Sequence, residues 1–307
     1  MTYKDLYLSG ALPEDIQLST ARIIKGDIEQ SFPYVCALTQ SRDMSQIFCT
    51  ATLIAPKVVI TAAHCVASAA LSGSSFNVLF VKEGSQTDFE LFEVERVYVP
   101  KCYMDNKRSA SGVKESSYLR EFDLAIIILK SNVPSSLTEP CVLDLNPLTQ
   151  STSVKIVGFG LDKTESDILE SLSKSDKKFD TLSESEQSFI VGQRLQSEKK
   201  ILKRSAGISC ETKGDVQICV PNSKEQIQYR GDSGGPILRL LGNSAYLCGI
   251  NGYVSVESSN KDARLFTITK CVAASILSSM FFINECFKLE GLFGQEAYKV
   301  LKYLRSQ

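Results

Sequence analysis

One histidine and no tryptophan occur in 307 residues. A single imidazole excludes a histidine-rich metal site, so any histidine-dependent chemistry runs through His64. Charge of neither sign prevails: 34 Lys and Arg against 35 Asp and Glu leave a formal net charge of −1. A general affinity for nucleic acid or an anionic membrane needs a basic excess that is absent, which removes both as partner classes. Long apolar runs are missing too. The longest weakly polar stretch, 271–287, contains serines, Asn284 and Glu285. It falls short of the ~20 apolar residues a spanning helix needs and reads as an amphipathic helix packed on the body. Residues 1–20 carry Asp5, Glu14 and Asp15 and have no apolar core of an export signal. No Asn-x-Ser/Thr sequon, P-loop, dinucleotide fingerprint, heptad pattern or internal repeat is present.

Cysteine, by contrast, is plentiful. Ten residues, an even number, suit a disulfide-bearing chain from an oxidising compartment, secreted or periplasmic. Apolar residues at 43% and charged residues at 22% are those of a globular chain with a real core. Short runs rich in Val, Ile, Phe and Tyr recur at 32–38, 50–54, 58–61, 76–82, 90–99, 124–129, 154–159, 245–254 and 265–269, with turn residues between them. They are too short for helices and point to an all-β barrel or sandwich. Helical spacing appears only near the C-terminus, from Cys271 and again over 295–305, where Ala297, Val300, Leu301 and Leu304 share a face. Two polar segments, 107–120 and 161–186, read as surface insertions, either simply solvated or partner-binding.

Three separated segments carry chemistry. Thr61-Ala62-Ala63-His64-Cys65 ends an apolar run. Asp123 opens the apolar strand Leu124-Ala125-Ile126. Gly231-Asp232-Ser233-Gly234-Gly235-Pro236 is a glycine-rich loop. Acyl transfer by serine needs a hydroxyl, a base for its proton, an acid to orient the base, and N–H groups aimed at the developing oxyanion. Taken singly, His64 is a structural histidine, Asp123 a turn residue and the glycine string a tight loop. Six specified residues in one string, in this order after the other two, outweigh those readings.

These segments, with the activation-like Arg22-Ile23-Ile24-Lys25-Gly26, resemble the trypsin/chymotrypsin family of serine proteases over roughly 23–287. The resemblance implies two six-stranded antiparallel β-barrels with the active site between them, plus a C-terminal helix. It implies domains of 1–22 (propeptide), 23–287 (protease, the barrels meeting near 135–150) and 288–307 (helical extension). Ser233 would be the nucleophile, His64 the base and Asp123 its orienting acid, with an oxyanion hole at the Gly231 and Ser233 N–H groups. The resemblance also implies disulfides Cys49–Cys65 and Cys210–Cys219; Cys36, Cys102, Cys141, Cys248, Cys271 and Cys286 have no assigned partners. Cleavage after Arg22 would free an ammonium on Ile23 to pair with Asp232. Two bridging cysteines usual in the family are replaced by Val154 and Arg239, and two tryptophans by Phe159 and Tyr253. The serine that supports the acid is Gly252 here.

The expected protein is therefore a secreted serine endopeptidase made as a zymogen. It requires no cofactor or metal; acids within 83–90 read as ordinary strand and loop residues rather than a calcium loop. Its partners are protein or peptide substrates, a separate basic-specific activating protease and a protein inhibitor. The other class of function is a catalytically silent homologue serving as a binding module. The base of the primary pocket falls on Ile227, which excludes the aspartate that basic specificity requires. The pocket walls fall on Gly252, Tyr253 and Val254 and, opposite, on Arg264. Arg264 suits an acidic substrate residue, and a narrowed pocket suits a small aliphatic one.

Overall fold

The computed structural model describes residues 21–24, 27–28, 31–42, 46–82, 88–104, 122–147, 154–160, 205–209, 217–221, 227–229, 231–258, 266–292 and 300–301. Six strands close into an antiparallel barrel: β3 (Val35–Thr39), β4 (Ile47–Ala55), β5 (Val58–Thr61), β6 (Asn77–Val81), β7 (Phe89–Tyr98) and β8 (Ala125–Leu129), in the order β3-β4-β5-β8-β7-β6. The strands β3, β5 and β8 are buried along their whole length, which is why they read as unbroken apolar runs. Side chains alternate across the barrel wall. In β8, Ile126 and Ile128 join one core with Val157, Leu238, Leu247 and Ile250 of the second half. Ala125, Ile127 and Leu129 join the other core, with Leu38, Leu53 and Phe80.

The second half is a sheet of nine strands. Its main path is β12 (Gln217–Pro221), β16 (Phe266–Ser275), β15 (Ser244–Ser258), β14 (Pro236–Leu241), β10 (Val154–Gly158), β11 (Ser205–Ser209) and β2 (Asp27–Ile28). Two short strands, β9 (Val142–Asp144) and β17 (Val300–Leu301), attach in parallel beside β15. The all-β class and the first closed barrel agree with the sequence; among the described residues the second half is this larger sheet, because short N- and C-terminal segments add to its edges. A separate pair joins β1 (Ala21–Ile24) to β13 (Ile227–Tyr229).

Among the described residues, α1 (Ala63–Ser72) and α2 (Ile276–Leu289) flank the strands, the second burying Ile276, Phe282, Ile283, Cys286 and Phe287. The amphipathic helix expected from Cys271 thus begins at Ile276. Residues 271–275 instead continue β16, where both neighbours, β12 and β15, supply backbone partners. The helical spacing over 295–305 is overruled at Val300 and Leu301, which form β17 on the otherwise open edge of β9; its other residues, and the insertions at 107–120 and 161–186, lie outside the described residues. Past the end of α2, Glu290 accepts from Arg96 Nη1 (2.6 Å) and from the Tyr98 hydroxyl, pinning the helix end to β7. Burial, reinforced by donation to Glu290, pushes the Tyr98 phenol up to about 12, so it stays a donor.

Val154 and Arg239, the two positions where the family resemblance expects bridging cysteines, are cross-strand partners. An ionic tie takes the place of the covalent one. Arg239 Nε lies 2.7 Å from Asp144 Oδ2, with side-chain exposures of 9% and 0%. Arg239 Nη2 also donates to the carbonyls of Asn146 (3.1 Å) and Pro147 (2.9 Å), and Asp144 Oδ1 accepts from Asn146 N and Nδ2. Removing one partner strands a buried charge. Arg239→Ala should therefore lower stability by about 3–5 kcal/mol, read from the denaturant midpoint. Arg42→Ala, at the exposed Arg42–Glu93 pair, should change it by less than about 1 kcal/mol.

Candidate active site

Two adjacent strands bring His64 and Asp123 together. In the β5–β8 ladder Thr61 is the partner of Ala125. The residue three past the end of one strand therefore meets the residue two before the start of the other. His64 is the second residue of α1. Its backbone N–H donates to Asp123 Oδ1 (2.8 Å) and its ring Nδ1 lies 2.7 Å from Oδ2. The side chains are 15% and 7% exposed. An ionised carboxylate only accepts, so Nδ1 carries the proton and the lone pair is left on Nε2. One carboxylate thereby sets both the ring's tautomer and its plane.

Ser233 arrives from the second half, in the loop just before β14. Glycines at both sides make that loop possible: Gly231 and Gly234 have φ of 102° and 80°. A Cβ on Gly234 would sit 2.0 Å from Thr61 Oγ1 and 2.4 Å from Thr50 O. Thr50 of β4 clamps the loop. Its N–H donates to Ser233 O (2.8 Å) and its hydroxyl donates to Gly231 O (2.7 Å) while accepting from Phe159 N (3.0 Å). Thr61 Oγ1 donates back to Thr50 O (2.8 Å). The sequence segment Phe48-Cys49-Thr50 was legible only for its cysteine; the threonine's role was missed, because only the fold shows that its hydroxyl faces the other half. Asp232 is fully buried and its Oδ1 accepts from Gly160 N (2.9 Å).

The Cys49–Cys65 disulfide forms as the resemblance implied. Cys65 Sγ lies 3.7 Å from His64 Nε2 and 3.6 Å from Ser233 O, so imidazole and serine flank the same sulfur. Cys49, His64 and Cys65 are also a cluster of metal-type donors, but sulfurs joined in a disulfide are not thiolate ligands. The Ser233 hydroxyl donates to Gly252 O at 3.5 Å and makes no hydrogen bond to His64 among the described residues. The N–H groups of Gly231 and Ser233 likewise have no acceptor there. Free thiols occur at Cys141, Cys248 and Cys286; burial pushes Cys141 up to about 12 and the other two up as well, so none is a nucleophile at neutral pH.

The β15–β16 register sets Val272 against Tyr253, Cys271 against Val254 and Phe266 against Ser258. Arg264 lies outside the described residues. The side chains of Arg22, Ile23, Ile227, Tyr253, Val254 and Cys219, and all of Cys210, are outside the described residues; the Cys210–Cys219 pairing falls with them.

The family described as Trypsin matches residues 24–274. The chain is 29% identical over 245 residues to the cercarial protease of Schistosoma mansoni, covering 73% of this chain and 78% of that protein. It is 26% identical over 264 residues to phenoloxidase-activating factor 1 of Holotrichia diomphalia, covering 80% and 66%. It is 24% identical over 278 residues to trypsin beta of Drosophila erecta, covering 85% and 93%. Among solved structures, mouse neuropsin, a serine protease, shares the fold with a TM-score of 0.54 and 15% identity, over 87% of this chain and 98% of its own.

The disulfide closes a loop with a sequence separation of 16 beside His64. Replacing Cys49 and Cys65 together by alanine should cost about 3 kcal/mol of stability, measured by denaturant unfolding.

Proposed function

The chain belongs to the trypsin family, and on that premise we propose that it is a serine endopeptidase acting through an acyl-enzyme on Ser233. The observation that carries this reading is the two-point grip of Asp123 on His64, which leaves Nε2 as the one unprotonated ring nitrogen of the chain's single histidine. Turning the Ser233 hydroxyl from Gly252 O toward Nε2 allows His64 to take its proton as the oxygen attacks the scissile carbonyl. The N–H groups of Gly231 and Ser233 receive the oxyanion. His64 then returns the proton to the leaving amine, and water repeats the sequence to release the acid. Asp123 remains ionised and steadies the imidazolium.

The zymogen and its activation belong to the same proposal. The bond between Arg22 and Ile23 lies within β1, whose partner β13 ends two residues before Gly231. A cut there separates β1 into two pieces beside the Ser233 loop. The freed Ile23 ammonium would have Asp232 as its partner, a fully buried carboxylate next to the nucleophile. Ile227 at the pocket base argues against Lys or Arg in the substrate, so a separate basic-specific protease makes the cut. A relative named as an activating factor supports a place in such a protease sequence. Export to an oxidising compartment is supported by the formed disulfide. No helix among the described residues is long and apolar enough to cross a membrane. An acidic substrate residue paired with Arg264 and a small aliphatic one both remain within this proposal.

One observation favours the silent homologue instead: the Ser233 hydroxyl is bonded to Gly252 O, not to His64. A fluorophosphonate probe separates the two. Protein cut after Arg22 should be labelled on Ser233, and Ser233→Ala and His64→Ala should each abolish labelling and lower peptide hydrolysis roughly 10⁴-fold or more. An unlabelled but folded parent would make it a binding module. Arg22→Gln, treated with a basic-specific protease, should keep its N-terminal segment and stay inactive; N-terminal mass analysis of the active species checks this, and full activity with residues 1–22 attached would exclude the zymogen.

A further inference from the structure

Asn251 is fully buried, and neither its Oδ1 nor its Nδ2 has a hydrogen-bond partner. A buried amide with both ends unsatisfied is costly and rare in a folded protein. Its backbone is tied on both sides to the nucleophile loop: Gly234 N donates to Asn251 O (2.8 Å) and Asn251 N donates to Gly235 O (2.8 Å). The next residue is Gly252, whose carbonyl holds the Ser233 hydroxyl. Neighbouring Ile250 and its cross-strand partner Ala274 pack into the main core. Alternation along the strand turns Asn251 and its own partner, Ala273, to the opposite face of the sheet. There Ala273 contributes only a methyl group and Gly252 none. The unsatisfied amide thus belongs to the residue whose backbone holds the nucleophile loop, and its neighbours in the sheet are small.

We infer that Asn251 is a specificity-determining residue that selects asparagine as the substrate residue whose carbonyl Ser233 attacks. This rests on the reading of Ser233 as the nucleophile. A carboxamide is the side chain that satisfies both orphan atoms at once, its N–H donating to Asn251 Oδ1 and its oxygen accepting from Nδ2. A carboxylate offers no donor to Oδ1 and brings a buried charge without a counter-ion. An ammonium or guanidinium offers no acceptor to Nδ2. An aliphatic chain leaves both atoms orphaned, and a site built to hydrogen-bond its substrate discriminates strongly against such an analogue. The closeness of Gly252 to Ser233 favours the shorter carboxamide over glutamine. No bond beyond those of the acyl transfer itself forms or breaks.

The test uses full-length protein cut after Arg22, divided in two: one portion is treated with fluorophosphonate to show that Ser233 reacts, and the other, untreated, is assayed on matched peptides carrying Asn, Gln, Asp, Leu or Lys before the scissile bond. The untreated portion of a parent protein that labels should show kcat/KM for Asn at least 10- to 100-fold above that for Leu, which has the same shape, and above that for Asp. Asn251→Leu should reverse the Asn/Leu ratio, and Asn251→Val should do the same should the leucine variant fail to fold. Reaction with the probe in one portion but no Asn preference in the untreated portion overturns the inference and leaves the protease reading standing, as does an Asn preference that survives both variants. Absence of labelling overturns the protease reading itself, and this inference with it.

Discussion

Thr50 is the point on which the site depends. Each of its polar groups is engaged, and most of the bonds cross from the barrel to the second half: N–H to Ser233 O, hydroxyl to Gly231 O, hydroxyl from Phe159 N, carbonyl from Thr61 Oγ1. His64 and Asp123 are positioned by the barrel alone. Ser233 is not; it reaches them because a β4 threonine grips its loop at both ends of the Gly-Asp-Ser triplet. The close approach dictates the glycines. A Cβ on Gly234 would strike Thr61 and Thr50, and one on Gly235 would lie 2.5 Å from Val157 O. The glycine-rich motif is therefore a packing requirement as much as a chemical one.

Polar groups in this interior fall into two kinds. Most are fully paired, as with Arg239, Asp144 and the 146–147 turn, or Asp123 and His64, and these hold shape. Burying a paired charge gives little net stability but makes its loss severe, so the Arg239 network can fix β9 against β14 where a bridge would otherwise serve. Asn251 is of the other kind, buried without a partner beside the nucleophile loop. An amide with both ends unsatisfied, next to the nucleophile in sequence and by its backbone bonds, is the group we read as waiting for a partner.

The chemistry was legible because it resides in contiguous strings. Thr61 to Cys65 and Gly231 to Pro236 each present several specified residues in a row, and the single histidine left no rival base. The Cys49–Cys65 bridge is the one that the family resemblance implied. What failed did so where long-range pairing outranks local preference. Val300 and Leu301 carry helical spacing but complete the edge of β9. Residues 271–275 were read with the helix that follows them, yet two neighbouring strands claim them.

By itself the sequence determined the chemical parts and the strand-rich class, because nucleophile, base and acid are residue types and strand runs are local patterns. Tertiary structure alone decided which atoms meet. It gave Asp123 two bonds to one histidine, made Val154 and Arg239 partners and filled that place with an ion pair. It set Thr50 across the two halves and left Asn251 unsatisfied next to Ser233. One of these contacts, Thr50 with Gly231, joins residues 181 positions apart. Strand register and close packing fix such distances, and neither has a signature in any short stretch of sequence.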